Sequence, residues 1–232
     1  MSFIGKVVLI TDASYGIGAD TAFHLAKNLG ASVPLTIVAD VSNEAERIIN
    51  ETVEHFGQLN VLVNNTEIMM KGSGLQAPVS DFERSFDVNV RSVITRSVLL
   101  TKFSIPHLEK TKGNIVNITT IASLRTTPNI MTYYISKAAL EQFTKCSAMD
   151  LSSKGITLNS IINPITRCTP VYETFGLNTE QAEKMLEEYK KRYPVGTVGD
   201  VYDTLAAISY LADDKSYSLL SGVLLPIDST IA

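Results

Sequence analysis

Short apolar runs rich in valine and isoleucine alternate along this chain with longer segments whose apolar residues recur every three to four positions. A short apolar run bounded by turn residues is typical of a buried strand, and the longer pattern is typical of an amphipathic helix. The runs predict six strands, at Val7–Ile10, Val33–Ala39, Val61–Val63, Asn114–Ile118, Ile156–Ile161 and Val223–Leu225.

Helices are predicted between these strands. Gly30 and Gly57 follow the first two helical segments, and glycine there is typical of a helix end. Ser42 and Asn43 are candidate caps at the beginning of the second helix. The predicted helices are Ile17–Leu29, a second helix ending at Phe56, Ser80–His107, Thr132–Ser153, Thr179–Arg192 and Val201–Leu211.

Strands that alternate with helices predict an α/β fold, in which a doubly wound parallel sheet carries helices on both faces as three layers. A chain of 232 residues fits one domain, residues 1–232. Ligands bind such a sheet beyond the carboxyl ends of its strands, so candidate chemistry is sought directly after each strand. The least regular stretch, residues 164–199, is predicted to cover the resulting cleft.

The first strand is followed by a turn at residues 11–18 that contains Gly16 and Gly18, and then by a helix. Glycines in this position let a phosphate approach the backbone N–H groups at the helix N-terminus. A plain strand–turn–helix connection explains the two glycines equally well. The turn alone therefore leaves both interpretations open.

Tyr133 and Lys137 lie four positions apart at the beginning of a predicted helix, which places both side chains on one face. An ammonium beside a phenol favours the phenolate and lowers the tyrosine pKa from about 10 toward neutral. Such a tyrosine exchanges a proton with an alcohol or a carbonyl. Taken alone, the same spacing also fits an ordinary pair on the surface.

Polar pairs follow two further predicted strands. Asn64-Asn65 after the third strand either closes gaps between strands or forms a turn, and Thr119-Thr120 follows the fourth strand.

In combination, the motifs of the chain resemble those of the short-chain dehydrogenase/reductase family from Gly5 to Asp228. The motifs in register are the glycine-rich turn at 11–18, Asp40-Val41, Asn64-Asn65, Asn89 within a helix, Thr119-Thr120, Tyr133-x-x-x-Lys137 and Asn163-Pro164.

This resemblance implies a Rossmann-like fold and an oxidoreductase that transfers a hydride between NAD(P) and a secondary alcohol or ketone. It implies that Tyr133 is the catalytic acid/base and that Lys137 lowers its pKa and holds the nicotinamide ribose. Thr120, where the family normally has serine, would bond the substrate oxygen, and Asn89 would fix a water in a proton relay. The cofactor contacts so implied are Thr11, Ser14, Tyr15, Gly16, Ile17, Gly18, Asp40, Val41, Asn64, Asn65, Tyr133, Lys137 and Pro164.

The neighbouring tyrosines are distinguished by their spacing. Only Tyr133 has a lysine four positions later, and Tyr134 points elsewhere because a helix turns by about 100° per residue. By resemblance, the helices at 80–107 and 132–153 also form the interface of a homodimer or homotetramer.

Four glycine positions of the family are occupied by other residues here: Asp12, Glu67, Ile165 and Ser229. Asp12 and Glu67 each add a side chain and a negative charge where a diphosphate would lie. If Asp12 holds a glycine-like backbone, the strain is on the order of 1–3 kcal/mol. An alternative is that Asp12 turns to solvent and accepts a local N–H, as aspartate does in turns.

About twenty residues of the family pattern are missing between the first helix and Asp40, which predicts a sheet one strand narrower than usual. Asp40 lies 22 positions after Gly18, close to the roughly 20 expected for an acid that binds the adenosine ribose. In that role it favours NAD over NADP, because a carboxylate repels a 2′-phosphate. Asp40 equally fits a contact to adenine or a helix cap.

The composition limits the kinds of partner that this protein is expected to bind. A net charge of −4 gives no electrostatic footprint for nucleic acid or an anionic membrane, and no apolar run approaches a membrane span. Two cysteines fit a reducing compartment, and the start of the chain has too few apolar residues for a signal peptide, so a cytoplasmic protein with a small-molecule substrate is expected. The three histidines have no metal-ligand spacing.

Two functional hypotheses follow. The retained tyrosine and lysine favour the oxidoreductase. The altered cofactor motifs favour a catalytically impaired relative that binds a small apolar ligand or a protein partner without turnover.

Overall fold

A computed structural model of the protein describes residues 3–28, 34–66, 74–126, 130–167, 172, 176–213 and 219–229. The strands in these residues are β1 (Val8–Ile10), β2 (Val61–Asn64), β3 (Asn114–Thr120), β4 (Thr157–Asn163) and β5 (Leu224–Pro226). The α-helices are α1 (Gly16–Asn28), α2 (Val41–Phe56), α3 (Val79–Phe86), α4 (Val93–Thr111), α5 (Met131–Ser152), α6 (Thr179–Lys190) and α7 (Val201–Leu211).

The five strands form one parallel sheet in the order β1-β2-β3-β4-β5. Residues of β2 and β3 are buried along nearly their whole length, as expected for strands covered on both faces. On one face, Leu25 of α1 and Ile208 of α7 pack over the sheet. On the other, Ile49 of α2, Leu108 of α4 and Leu151 of α5 do so. The predicted three-layer α/β fold is confirmed.

The predicted strand at Val33–Ala39 is wrong over the part that the structure describes, because residues 34–39 belong to no strand. A strand at the sheet needs a partner and a buried face, but Val38 is 89% exposed. Its carbonyl accepts a hydrogen bond from Arg47 at 3.1 Å, so the segment leads into α2 instead. Among the described residues β1 is therefore an edge strand, and the sheet has one strand fewer than the six predicted.

Helix α2 begins at Val41, earlier than the predicted caps imply. Asp40 is the N-cap, because its carboxylate accepts the backbone N–H of Ser42 at 2.9 Å. Gly57 ends the helix in the left-handed conformation (φ 80°), as predicted.

The predicted long helix from Ser80 to His107 is divided into three segments. α3 and α4 are joined by a π-helix at Asp87–Ser92, in which Asn89 is fully buried. Short π-helical insertions are rare and concentrate at functional sites. The segment packs against both α3 and α5, which places Asn89 beside the beginning of α5.

Part of the predicted cover at 164–199 has an apolar cluster of its own, built by Tyr172, Ala182, Leu186, Tyr193 and Val198. The Tyr193 hydroxyl accepts the backbone N–H of Ile165 at 2.9 Å, which connects this cluster to the residues that follow β4.

Among the helices of the described residues, none is long and apolar enough to cross a membrane.

Candidate active site

The carboxyl ends of β1 and β2 are joined by side-chain hydrogen bonds. The Thr11 hydroxyl accepts the backbone N–H groups of Asn65 at 3.0 Å and Thr66 at 3.2 Å. The Asn65 amide donates to the carbonyls of Thr11 and Asp12, both at 3.2 Å. The asparagine pair thus closes the gap between strands, one of the two alternatives that the sequence left open.

The turn after β1 has a glycine-like backbone at a residue that is not glycine. Asp12 has a φ of 53°, a value that most L-residues avoid, so the glycine-like backbone considered for it is present. Gly16 has a φ of 61° and begins α1. A Cβ on Gly18 would lie 2.4 Å from the Asp12 carbonyl oxygen, so only glycine fits this close crossing. The close crossing keeps the turn next to the N-terminus of α1, where a phosphate would bind.

A buried amide chain runs from β2 across β3 to α5. Asn64 donates to the Asn117 side chain at 2.8 Å, and Asn117 donates to the Thr144 hydroxyl at 2.9 Å. All three residues are nearly or fully buried. The side-chain oxygen of Asn64 has no hydrogen-bond partner among the described residues, which leaves an acceptor at the sheet edge where a ligand would bind.

Tyr133 and Lys137 lie in the first two turns of α5, on one face of the helix. They are only 6% and 2% exposed, which excludes the surface pair that the spacing alone allowed. The Lys137 ammonium lies 5.6 Å from the centre of the Tyr133 ring. Tyr134 is half-buried, and its ring centre is 6.1 Å from that of Tyr133. The structure places a buried ammonium next to the predicted tyrosine.

Thr120 is the last residue of β3 and is half-buried. A single 3₁₀ turn at Ile121–Ser123 follows it and packs against α5. The Ser123 hydroxyl lies 2.8 Å from the Thr120 carbonyl and also contacts the Glu141 carboxylate of α5. Thr120 therefore lies on a turn that is anchored to the helix carrying Tyr133.

Asn89 is held directly against the beginning of α5. Its side-chain amide donates to the Thr132 hydroxyl at 2.9 Å, and both residues are fully buried. Thr132 precedes Tyr133, so this hydrogen bond joins the π-helix to the residue next to the tyrosine. The side chains of Asn89, Thr120, Tyr133 and Lys137 thus come from elements that pack around one end of α5.

The remaining residues predicted to contact the cofactor differ in how far their side chains are exposed to solvent. Ser14 is exposed and Tyr15 is 41% exposed, whereas the side chain of Ile17 packs in the core and leaves only its backbone for a ligand. Pro164 is buried directly after β4. Glu67 lies outside the described residues.

Asp40 and Val41 lie at the beginning of α2. Val41 packs on the core, and Asp40 caps the helix, one of the alternatives weighed for it. The backbone N–H of Ser42, followed by its hydroxyl, bonds to the carboxylate and holds the pKa of Asp40 below its ordinary value. The carboxylate also accepts the Asn43 amide at 3.0 Å.

The roles of Glu141 and Thr132 were not predicted from the sequence. Glu141 lies four positions after Lys137 and eight after Tyr133, so the helical spacing places it on the same face. An acidic residue at that spacing within an otherwise buried face was the signal that could have identified it. Nothing in the sequence indicated the π-helix that brings Asn89 to Thr132.

Comparison with known proteins supports a common fold and chemistry. Residues 4–229 match the profile of a family described as enoyl-(acyl carrier protein) reductase. The chain is 28% identical to meso-2,3-butanediol dehydrogenase of Serratia marcescens, over 98% of this chain and 95% of that protein. It is 32% identical to L-xylulose reductase of Caenorhabditis elegans, over 97% of this chain and 95% of that protein.

One solved structure is similar to this chain over nearly the whole length of both. It is a short-chain dehydrogenase/reductase of unknown function from Caenorhabditis elegans, crystallised with cofactor, with a TM-score of 0.87 and 27% identity. The match covers 99% of this chain and 96% of that one.

Proposed function

This chain belongs to the short-chain dehydrogenase/reductase family, and we propose that it interconverts a secondary alcohol and a ketone with NAD or NADP. The observation that carries the proposal is the buried pair of Tyr133 and Lys137 at the carboxyl end of a parallel sheet. A buried ammonium is compensated by hydrogen bonds and by opposite charge, and a phenolate that handles a proton beside it supplies such a charge.

The residues present fit a dinucleotide cofactor. Gly16 begins α1 in the left-handed conformation, and Gly18 allows a backbone crossing that a Cβ would block, so N–H groups at the α1 N-terminus are available to a diphosphate. The unpartnered Asn64 oxygen supplies an acceptor on the same edge. The turn at 14–18 would hold the diphosphate, and Tyr133 with Lys137 would hold the nicotinamide ribose.

The cofactor, when bound, supplies or accepts the hydride. The chain's own residues manage the proton. Tyr133 gives its phenolic proton to the carbonyl oxygen in reduction and removes the alcohol proton in oxidation. Lys137 stabilises the phenolate, and the Thr120 hydroxyl orients the substrate oxygen by a hydrogen bond as charge develops there. Asn89 holds the beginning of α5, through Thr132, in the position that this geometry needs.

One feature reduces the affinity expected for the cofactor. Asp12 places a carboxylate in the turn at residues 11–18, close to where a diphosphate would lie. We propose NAD over NADP, because the Asp40 carboxylate at the beginning of α2 is negatively charged at neutral pH and would oppose a 2′-phosphate bound there.

Residues 164–199 are proposed to cover the substrate. Tyr193 joins their apolar cluster to the residues after β4, and Arg167 pairs with Glu183 at 2.8 Å across the segment.

A homodimer or homotetramer that assembles through α4 and α5 is supported by two exposed apolar side chains on these helices, since Val98 is 37% exposed and Met149 is 84% exposed. Light scattering on the purified protein tests the assembly.

Calorimetry with NADH and NADPH, followed by turnover assays, tests the proposed function. The first substrates to assay are meso-2,3-butanediol and L-xylulose, since relatives carry those names. Micromolar cofactor binding with turnover of an alcohol or ketone supports the oxidoreductase. No heat at millimolar concentrations of either cofactor would favour the alternative, a relative that binds a ligand without turnover.

A further inference from the structure

We propose that Glu141 is a positioning residue for this reaction, in that its buried carboxylate fixes the turn that presents Thr120 to the substrate. The inference rests on the proposed function. It names a side chain that the resemblance to the family did not single out.

Glu141 lies on the face of α5 that carries the proposed chemistry. It follows Lys137 by one helical turn and Tyr133 by two, and it is only 7% exposed. A carboxylate buried to that extent is unfavourable unless hydrogen bonds compensate for its lost hydration. Its hydrogen-bond partners therefore indicate what it does.

The partners lie on either side of Thr120. One carboxylate oxygen accepts a hydrogen bond from the Ser123 hydroxyl, and the Thr119 hydroxyl lies 3.4 Å from the same oxygen. Ser123 is three positions after Thr120 and Thr119 is directly before it. Glu141 thus bonds to the chain on both sides of the residue that would contact the substrate.

Ser123 carries the stronger of the two connections. Its hydroxyl is 2.8 Å from the Thr120 carbonyl and is also within hydrogen-bond distance of Glu141, so these two acceptors compete for its one proton. When the proton goes to the carboxylate, Glu141 fixes Ser123 at the end of the turn that follows Thr120. The Thr119 hydroxyl has nearer partners in β4, since it is 3.0 Å from the Ile161 carbonyl and 3.1 Å from the Ser160 hydroxyl. Hydrogen bonds to a charged acceptor are stronger than neutral ones, which favours the bond from Ser123 to Glu141.

The consequence concerns the Thr120 hydroxyl. A displacement of about 1 Å of an orienting group reduces a rate by as much as 10²-fold, because the reacting atoms need a near-attack geometry. The 3₁₀ turn at Ile121–Ser123, in which Ile121 is buried, contacts α5, and the Glu141 carboxyl group anchors that contact. Removing the Glu141 side chain would therefore allow Thr120 to move, although Glu141 itself contacts neither substrate nor cofactor.

The experiment compares kcat and KM for Glu141→Ala, Glu141→Gln and the wild-type enzyme. We expect Glu141→Ala to reduce kcat by about 10- to 100-fold, with the KM for the cofactor unchanged. Glu141→Gln keeps an acceptor oxygen for Ser123, so we expect it to retain kcat within about fivefold. An equal loss in both variants would overturn the proposal.

A double-mutant cycle with Thr120→Ala tests whether the effect passes through Thr120. Once the Thr120 hydroxyl is gone, adding Glu141→Ala should reduce kcat by less than about threefold more, since residues that act as a unit are not additive. Additive losses would refute the positioning role. If Glu141→Ala does not fold, Ser123→Ala replaces it in the same cycle with the same expectation.

A measurement without turnover keeps this inference separate from the proposed function. Amide hydrogen exchange over residues 119–124 should be faster in Glu141→Ala than in the wild type, while exchange in β2 stays unchanged. Unchanged exchange at 119–124 would contradict the inference even if the wild-type enzyme is active. Faster exchange in Glu141→Ala, found together with a wild-type protein that has no dehydrogenase activity, would sustain the anchor and refute only the reaction.

Discussion

Replacing Asp12 with glycine should strengthen cofactor binding with little change in the stability of the protein. Asp12 has a φ of 53°, and the Asn65 amide holds its carbonyl at 3.2 Å. The left-handed conformation is unfavourable for an L-residue by roughly 1–2 kcal/mol, whereas glycine adopts it freely. Glycine also loses about 0.5–1 kcal/mol more conformational entropy on folding. The two effects nearly cancel, so the free energy of unfolding should change by less than about 1 kcal/mol.

The charge affects affinity differently. Two unit charges about 7 Å apart repel by roughly 1.2 kcal/mol at an effective dielectric constant of about 40, which corresponds to about eightfold in a dissociation constant. Asp12 is half-buried, and salt screens such a repulsion only in part. We therefore expect Asp12→Gly to reduce the dissociation constant for NADH by about 5- to 30-fold at low ionic strength, with a smaller gain at high salt.

Isothermal titration of NADH into Asp12→Gly, Asp12→Asn and a matched control measures this effect. Asparagine removes the charge and tolerates the left-handed backbone, so it should give most of the gain in affinity. The control is Lys112→Gly, since Lys112 has a φ of 52° at the end of α4, away from the site. An equal gain in affinity for Lys112→Gly, or none for Asp12→Asn, would refute the reasoning.

Three further predictions concern side chains that hold the site together. Asn65→Ala removes two hydrogen bonds to the turn at residues 11–18 and should reduce the free energy of unfolding by about 1–3 kcal/mol, measured by urea denaturation. Asn117→Ala leaves the buried Asn64 amide without its acceptor and should cost about 2–4 kcal/mol; a loss below 1 kcal/mol would contradict the buried chain. Asp40→Ala removes a helix cap and should lower the melting temperature at pH 7. Because the pKa of Asp40 is lowered by folding, the wild-type advantage is present above about pH 4 and lost as the pH falls below it, as thermal melts from pH 7 to pH 2 would show.

The elements that the sequence predicted correctly have a strong local pattern. Strand β2 is a short apolar run that ends in a polar residue, and β3 and β4 carry isoleucine, valine or leucine between polar residues. Helix α5 begins where Thr132 was expected, to within one residue. The failure at Val33–Ala39 has a physical cause. A run rich in valine and isoleucine forms a strand only beside a partner, and residues 34–39 are largely exposed next to α2.

The candidate site was partly visible in the sequence because spacing along a helix determines which side chains share a face. Their spacing predicted that Tyr133 and Lys137 share a face, and the structure shows that both side chains are buried. Glu141 shares their face but has no motif of its own, and its contacts with the turn after β3 depend on tertiary packing. The left-handed backbone at Asp12 was a conditional expectation from the sequence, and the backbone dihedral angle shows that this backbone is present.

Steady-state turnover of Tyr133→Phe beside Tyr134→Phe tests the central claim most directly, because the two variants remove the same hydroxyl from adjacent residues. If Tyr133 transfers the proton, its loss reduces kcat by about 10²- to 10⁴-fold while NADH still binds, and Tyr134→Phe stays within about threefold of the wild type. Equal activity of the two variants, or a loss confined to Tyr134→Phe, would contradict the account.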